Sequence, residues 1–386
     1  MRRRTFITVA GAATTAGIAG CTADPVDEGN GDQTGNGNGN GDDGGNGGTT
    51  GSGRDDPDTL SVATYDSFVD APSDSPGEWI KEEFENRYDV EFEWVVPDSP
   101  ISHYIERHNA GVDIDAELYM GIKPNELVRV DENTDGELFQ PTDLGALEHG
   151  ENIDEAFHFD PYERMVPAYS SYAAVVYDGR TLETPETFED LLDERFEGNF
   201  AVSNPAEGSS TGLYFLLWSI HEFGTDGEYT WLDYWDDLLE NDVRILDSWG
   251  TMYAQFDEGE IPVVVSYSND RVYAKRFGND LEKHQVSLLN GNGYANLNAM
   301  GRFAQGTDDD LAHQFMDFVL SPEVQAKIAE LNVTGPVNAE AEPPEVYREY
   351  AIEPDPENVI FFGYDELAEN LQDWISEWER SVVGRN

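Results

Sequence analysis

The stretch TLSVATYDSFVDAPSDSPGEWIKEEFENRYDVEFEWVV, residues 59–96, decides the fold class. Within it, LSVATYDSF (60–68) sets Leu60, Val62, Ala63 and Phe68 between polar turns, which predicts a strand. PGEWIKEEFENRY (76–88) has Pro76 near its start and Trp79, Ile80 and Phe84 on one face, which predicts a helix. VEFEWVV (90–96) alternates like a second strand. Outward from there, residues 101–110 read as a helix and IDAELYMGI (114–122) as a third strand. Strand, helix, strand, helix, strand is the pattern of a parallel sheet covered by helices.

The pattern returns further on. Strands are predicted at 168–178, 199–205, 243–246 and 262–268. A loop with a short helix falls in LETPETFEDLLDERFEG, and helices at 213–223, 231–240, 309–319 and 321–331. The last helix, 364–382, puts Leu367, Leu371, Trp374, Ile375, Trp378 and Val382 on one stripe. One core rarely grows beyond roughly 250 residues. Two α/β lobes with a ligand cleft between them are therefore expected.

The chain has 22 basic and 79 acidic residues, a formal net charge of −57. That excludes a nucleic-acid backbone binder, which needs a basic face. Disorder is excluded for most of the chain by 8 Trp, 18 Tyr and 19 Phe, enough to build a core. Only 5 of the basic residues are Lys. An acid-rich, lysine-poor surface fits a high-salt milieu, where the Debye length shrinks to about 3 Å at 1 M. A single Cys excludes intrachain disulfides and Cys-cluster zinc sites.

That Cys lies near the N-terminus, in MRRRTFITVAGAATTAGIAGC. Arg2, Arg3 and Arg4 precede a short, weakly apolar run with small residues at its end, the pattern of a secretory signal. The paired arginines point to the twin-arginine route. Ile18-Ala19-Gly20-Cys21 resembles a lipobox, so residues 1–21 are expected to be a signal peptide and Cys21 the lipidated N-terminus after cleavage. Residues 22–58 are a Gly/Asn/Asp-rich tether with 12 Gly between 29 and 53 and no large apolar residue, expected to be disordered. Gly39 to Gly44 satisfies GxGxxG, but no strand precedes it and no helix follows, so it carries no dinucleotide.

Several stretches of the body resemble the thiamine-binding lipoproteins and periplasmic proteins of ABC importers. They are TYDSF (64–68), VVYDGRTLETPETFEDLL (175–192), SWGTMYAQFDEGE (248–260), VVVSYS (263–268), FMDFVLSPEVQ (315–325) and WISEWERSV (374–382). The resemblance covers about 59–386. FVLSPEVQ and VVYD belong to the wider solute-binding superfamily, while YDSF, Trp249 with Tyr253, Ser266-Tyr267 and WISEW are more specific to the thiamine branch. It implies a two-lobed α/β periplasmic-binding-protein-like fold with hinge crossover strands and a central ligand cleft. Lobe 1 would be 59–165 plus 269–318, and lobe 2 166–268 plus 319–386. It also implies a monomer without cofactor or enzymatic activity. Its partners would be thiamine or a phosphorylated form, an ABC permease with its ATPase, and the outer face of the cytoplasmic membrane through the lipid.

The resemblance implies a site as well. Thiamine carries an aminopyrimidine, a cationic thiazolium and a hydroxyethyl arm. Aromatic faces attract such a cation by roughly 0.5–2 kcal/mol each. The expected aromatic residues are Tyr65, Trp249, Tyr253, Tyr267 and Tyr273, with Tyr253 one helical turn after Trp249. Asp66, with Ser67, sits at the carboxyl end of the first strand, where ligands of open α/β sheets bind, and its carboxylate would offset the charge. Asp98 and Ser99 follow the second strand. Gly208-Ser209-Ser210-Thr211-Gly212 opens a helix whose N-terminus would receive a hydroxyl or phosphate.

The same five residues satisfy G-x-S-x-G, which makes a surface-anchored serine hydrolase the rival of a different class. Against it, Asn204 to Glu207 separate the strand from the would-be elbow, and only His284 or His313 could serve as the base. A polyamine or other cationic solute is the rival within the superfamily. No metal site is expected: the seven His lack paired spacing, and no Tyr-Tyr dipeptide suits iron. The chain departs from the thiamine pattern at Asn332-Val333-Thr334, where an aromatic normally closes the cleft. It also lacks a Trp soon after Phe68, and has Lys123 where an acid is usual.

Overall fold

The computed structural model describes residues 59–386 apart from 72–73, 307, 383 and 385–386. The signal segment, Cys21 and the 22–58 tether lie outside the described residues. The first part of the chain forms β1 (Thr59–Ala63), α1 (Asp66–Val69), α2 (Gly77–Tyr88), β2 (Glu91–Val95), α3 (Pro100–Ala110), β3 (Leu118–Ile122), α4 (Pro124–Thr134) and β4 (Phe139–Gln140). The long strand β5 (Met165–Tyr177) follows, then β6 (Phe200–Ser203), α5 (Ser210–Phe223), α6 (Trp231–Glu240), β7 (Arg244–Leu246) and α7 (Trp249–Glu258). Next come β8 (Val263–Tyr267), α8 (Asp270–Phe277), β9 (Gln285–Ser287), β10 (Gly293–Phe303), α9 (Asp309–Leu320) and α10 (Pro322–Leu331). The chain closes with β11 (Gly335–Pro336), α11 (Glu345–Tyr350), β12 (Val359–Ile360) and α12 (Tyr364–Val382).

The strands join in one sheet with the main order β2-β1-β3-β10-β5-β8-β6-β7. Two parallel sets, β2-β1-β3 and β8-β6-β7, flank an antiparallel pair made of β5 and β10. β3 pairs with residues 299–302 of β10, while β8 pairs with residues 173–177 of β5. The two sets therefore attach to opposite ends of the same pair. At ~3.3 Å per residue the 13 residues of β5 reach about 43 Å, enough to run through both sets. This is how one continuous sheet serves a two-part α/β body.

Local chemistry explains the departures from expectation. The first strand ends at Ala63 and not at Phe68. The Thr64 hydroxyl donates to the Met120 carbonyl at 2.9 Å, and Asp66 opens the short α1, which buries Phe68. The third strand is only Leu118–Ile122. The helix expected after residue 182 resolves into two 3-10 turns, Glu189–Leu192 and Glu194–Phe196. α4, α8 and β10 were not expected at all. α12 behaves as its stripe predicts: Leu367, Leu371, Trp374, Trp378 and Val382 are buried, each apolar side chain contributing roughly 1.5–3 kcal/mol. It packs beside α4 and α6. α5 lies in the middle of the body, with Thr211 to Ile220 all buried.

Candidate ligand-binding site

One hollow collects side chains from both parallel sets and from the central pair. Tyr65, just after β1, faces Tyr169 and Ser171 of β5 and Asn296 and Asn298 of β10. Tyr267 at the end of β8, Asn269 behind it, and Asn332 and Thr334 between α10 and β11 complete the wall. Asn296 and Asn298 are two apart on a strand, so both point to one face. The hollow has room for about 20 Å³, the space of one water. A ring-sized ligand enters only when its walls move apart.

The wall is organised by neutral hydrogen bonds. The hydroxyls of Tyr65 and Tyr169 lie 2.9 Å apart, and the Tyr65 ring meets Phe68 edge-on at 5.7 Å. Burial pushes the Tyr169 phenol well above its ordinary pKa, so it stays a neutral hydrogen-bonding group. The Tyr214 hydroxyl donates to Asn296 Oδ1 at 2.6 Å, and Asn296 Nδ2 donates to Ser171 Oγ at 3.0 Å. Asn298 Nδ2 donates to Asn296 Oδ1 at 3.3 Å. The 332–334 turn is held from outside: Asn269 Nδ2 donates to the Val333 carbonyl and the Tyr273 hydroxyl to the Asn332 carbonyl. Val333 is buried at φ 53°, a left-handed conformation that a β-branched residue rarely adopts. Such strain concentrates at functional sites.

The residues expected from the sequence divide into three groups. Tyr65 and Tyr267 share the hollow. Trp249 stands next to Tyr267, ring centroids 6.5 Å apart, with its Nε1 donating to Ser266 Oγ at 3.0 Å. Tyr253 stacks on Trp249 at 4.8 Å, but its hydroxyl points away, to the Asp270 carboxylate that also meets His284 Nδ1 at 2.9 Å. It supports Trp249 from behind and does not line the hollow. Tyr273, on α8, stacks on Phe277 and holds the 332–334 turn, also outside the lining.

Asp66, Asp98 and Ser99 are exposed, Ser67 is half-buried, and none of the four lines the hollow. Among the described residues, no charged side chain does. At the start of α5, Ser209 Oγ donates to Ser203 Oγ at 2.7 Å and Thr211 Oγ1 lies 2.8 Å from Ser203 Oγ, so these hydroxyls are tied to β6. Ser210 accepts from Lys123 Nζ at 3.1 Å. Lys123, 7% exposed and also 3.9 Å from Glu126, thus reaches from the end of β3 to α5.

Sequence reasoning did not place Tyr169, Ser171, Asn269, Asn296 or Asn298 in the site, and it met Asn332 and Thr334 only as replacements for a cleft-closing aromatic. The alternation Asn296-x-Asn298 inside GYANLNAMGRF was the available signal, legible only once that segment is read as a strand. Among the described residues, no group of three or more His, Cys, Asp or Glu could hold a metal ion, and no helix is long and apolar enough to cross a membrane.

Known proteins supply the wider context. The thiamine-binding periplasmic protein of Brucella suis biovar 1 (strain 1330) is 26% identical over 83% of this chain and 91% of its own length. The thiamine-binding periplasmic protein of Escherichia coli (strain K12) is 26% identical over 84% of this chain and 93% of its own. Among solved structures, a periplasmic thiamin binding protein matches with a TM-score of 0.68 and 25% identity, covering 87% of this chain and 99% of that one. The ferric binding protein from Campylobacter jejuni shares the fold, with a TM-score of 0.66 at 18% identity over 83% of this chain and 99% of its own. Residues 123–354 match the family described as bacterial extracellular solute-binding protein, and this chain belongs to that family.

Proposed function

We propose that this chain is the extracytoplasmic solute-binding subunit of an ABC importer and that it captures thiamine or a thiamine phosphate between its two halves. The observation that carries the reading is the meeting of Tyr65 and Tyr267 at one hollow, with Trp249 behind Tyr267 and outside the lining, in a chain aligned along nine-tenths of relatives named for thiamine binding. Their ring faces suit flat heterocycles, of which thiamine has two.

The lobes are 59–165 plus 269–318 and 166–268 plus 319–386. They open and close by bending the central strands, a hinge movement of the kind that binding proteins use. The register shifts at Asn298/Ala299 and Ala299/Met300 supply the irregular backbone for it. Opening brings Asp66, Ser67, Asp98 and Ser99 to the rim facing the entering ligand. The start of α5, with Ser209, Ser210, Thr211 and the cationic Lys123, receives the hydroxyl or phosphate end. The closed form is what the permease and its ATPase engage. The chain acts as a monomer, is exported by the twin-arginine route, and is held by lipid on Cys21 at the outer face of the cytoplasmic membrane, in a high-salt milieu that screens its charge.

Calorimetry of the full chain in molar salt with thiamine, thiamine phosphate and spermidine tests this. One site per chain for thiamine or its phosphate is expected. Heat with spermidine alone would overturn the ligand assignment.

A further inference from the structure

The hollow poses a question that its ring faces alone do not answer. Thiamine is a permanent cation, yet among the described residues no carboxylate lines this space; the polar side chains there are amides and hydroxyls. A buried charge without an opposite partner is costly, whereas a buried neutral polar group needs only hydrogen bonds. The chemistry of the wall therefore suits the uncharged half of such a ligand.

Three atoms define what that half must offer. Thr334, 7% exposed, has a buried Oγ1 with no hydrogen-bond partner among the described residues. In a native interior such a hydroxyl calls for an explanation. Asn269 and Asn298 each use one Nδ2 N–H on a protein carbonyl or amide oxygen, Val333 O and Asn296 Oδ1. Their Oδ1 acceptors receive no bond from a described residue. Two acceptors beside a hydroxyl ask for a group with at least two N–H donors next to a ring acceptor. Amide side chains read that combination on adenine, through its exocyclic amino group and adjacent ring nitrogen. A 4-aminopyrimidine presents the same edge, and Tyr65 and Tyr267 supply flat surfaces for its faces.

We infer that the hollow is an aminopyrimidine site, with Thr334 a specificity-determining residue, and that a neutral aminopyrimidine lacking the thiazolium is itself a ligand of this chain. The inference rests on the reading that this hollow is where the solute binds. The cationic ring of a complete thiamine then lies toward the mouth, and its contribution to affinity is secondary.

The test is calorimetry of the full chain in molar salt with thiamine, thiamine phosphate, 4-amino-5-hydroxymethyl-2-methylpyrimidine and the hydroxyethylthiazole half. The pyrimidine half should bind within about tenfold of thiamine, and the thiazole half should give no heat. Thr334→Val, nearly equal in shape, should weaken both pyrimidine and thiamine by roughly tenfold, the worth of one buried hydrogen bond. Thr334→Ser should restore binding to within about threefold. If thiamine binds but its pyrimidine half is more than a hundredfold weaker, the inference fails and the thiamine assignment stands. The same holds if Thr334→Val leaves both affinities unchanged while the protein stays folded. If the pyrimidine binds and no thiamine form does, the inference stands and the thiamine assignment falls. If none of the four binds, both fall.

Discussion

Gly121 should be irreplaceable at the hollow for a reason separable from its backbone. It sits in β3 at φ +105°, and a Cβ built there would lie 2.6 Å from Tyr65 Cε1, 2.9 Å from Cδ1 and 3.2 Å from the Tyr169 hydroxyl. The Tyr65 ring cannot simply swing aside, because its hydroxyl is bonded to Tyr169 and its edge rests on Phe68. Gly121→Ala thus incurs backbone strain of about 1–3 kcal/mol and breaks the hydroxyl pair, worth about 1 kcal/mol. Their sum is about 2–4 kcal/mol. A body of this length unfolds with an entropy of ~0.7 kcal/mol/K, so Tm should fall by about 3–6 °C. Displacing one aromatic face should also weaken thiamine binding by about 2–30-fold. Gly259→Ala is the control. Gly259 ends α7 at φ +78° with no atom within 4 Å of the added Cβ, so it incurs strain alone. Thermal melts and calorimetry in molar salt should show both variants destabilised and only Gly121→Ala weakened in binding. Equal affinity in the two variants would refute the placement of Tyr65 on the ligand wall.

Three further perturbations follow from the same structure. Trp249→Ala removes a half-buried ring stacked on Tyr253 and leaning on Tyr267; thiamine affinity should fall by about 3–30-fold with the melt still cooperative, and unchanged affinity would remove Trp249 from the site. Asp131→Asn should cost about 3 kcal/mol by differential scanning calorimetry, because the buried Arg164 guanidinium bonds both Asp131 oxygens at 2.8 Å and would keep only Asp160 as an anion. The hydrogen bond from Arg180, aided by its charge, holds the Asp178 carboxyl below its usual value. A depressed folded pKa stabilises above the unfolded carboxylate value of about 3.9 and loses that effect as pH falls through the folded value. Arg180→Met should therefore lower Tm at neutral pH, and the gap from the parent should close below about pH 4.

The parallel sets were legible because their strands are short, apolar and bounded by turns, as in Leu60 to Ala63 and Val263 to Tyr267. α12 was legible because Leu367, Leu371, Trp374 and Trp378 recur at helical spacing. β10 was not. Its sequence, GYANLNAMGRF, carries two Gly, two Asn and an Arg, and every residue in it is buried. A strand flanked on both sides by other strands and covered on both faces shows no polar alternation to read. α8 escaped for the opposite reason. Half of DRVYAKRF is charged, and its apolar positions do not form a stripe without the α11 surface against which it packs.

The site was half legible on similar grounds. Tyr65, Tyr267 and Trp249 stand out as aromatic residues at strand ends and helix starts. Asn269, Asn296, Asn298 and Thr334 do not, because an amide or hydroxyl in a sequence ordinarily marks a turn. Their meaning comes from burial, which makes each polar group answer for its hydrogen bonds. Two of them, Asn296 and Asn298, belong to β10, which with β5 forms the pair that joins the two parallel sets, and Asn298 adjoins the register shift at Asn298/Ala299. A ligand held by Asn298, as proposed above, would pull on the backbone where the ladder is irregular. Recognition and closure then share one element, so a substitution in β10 that left contacts intact but regularised the ladder should alter binding through closure alone.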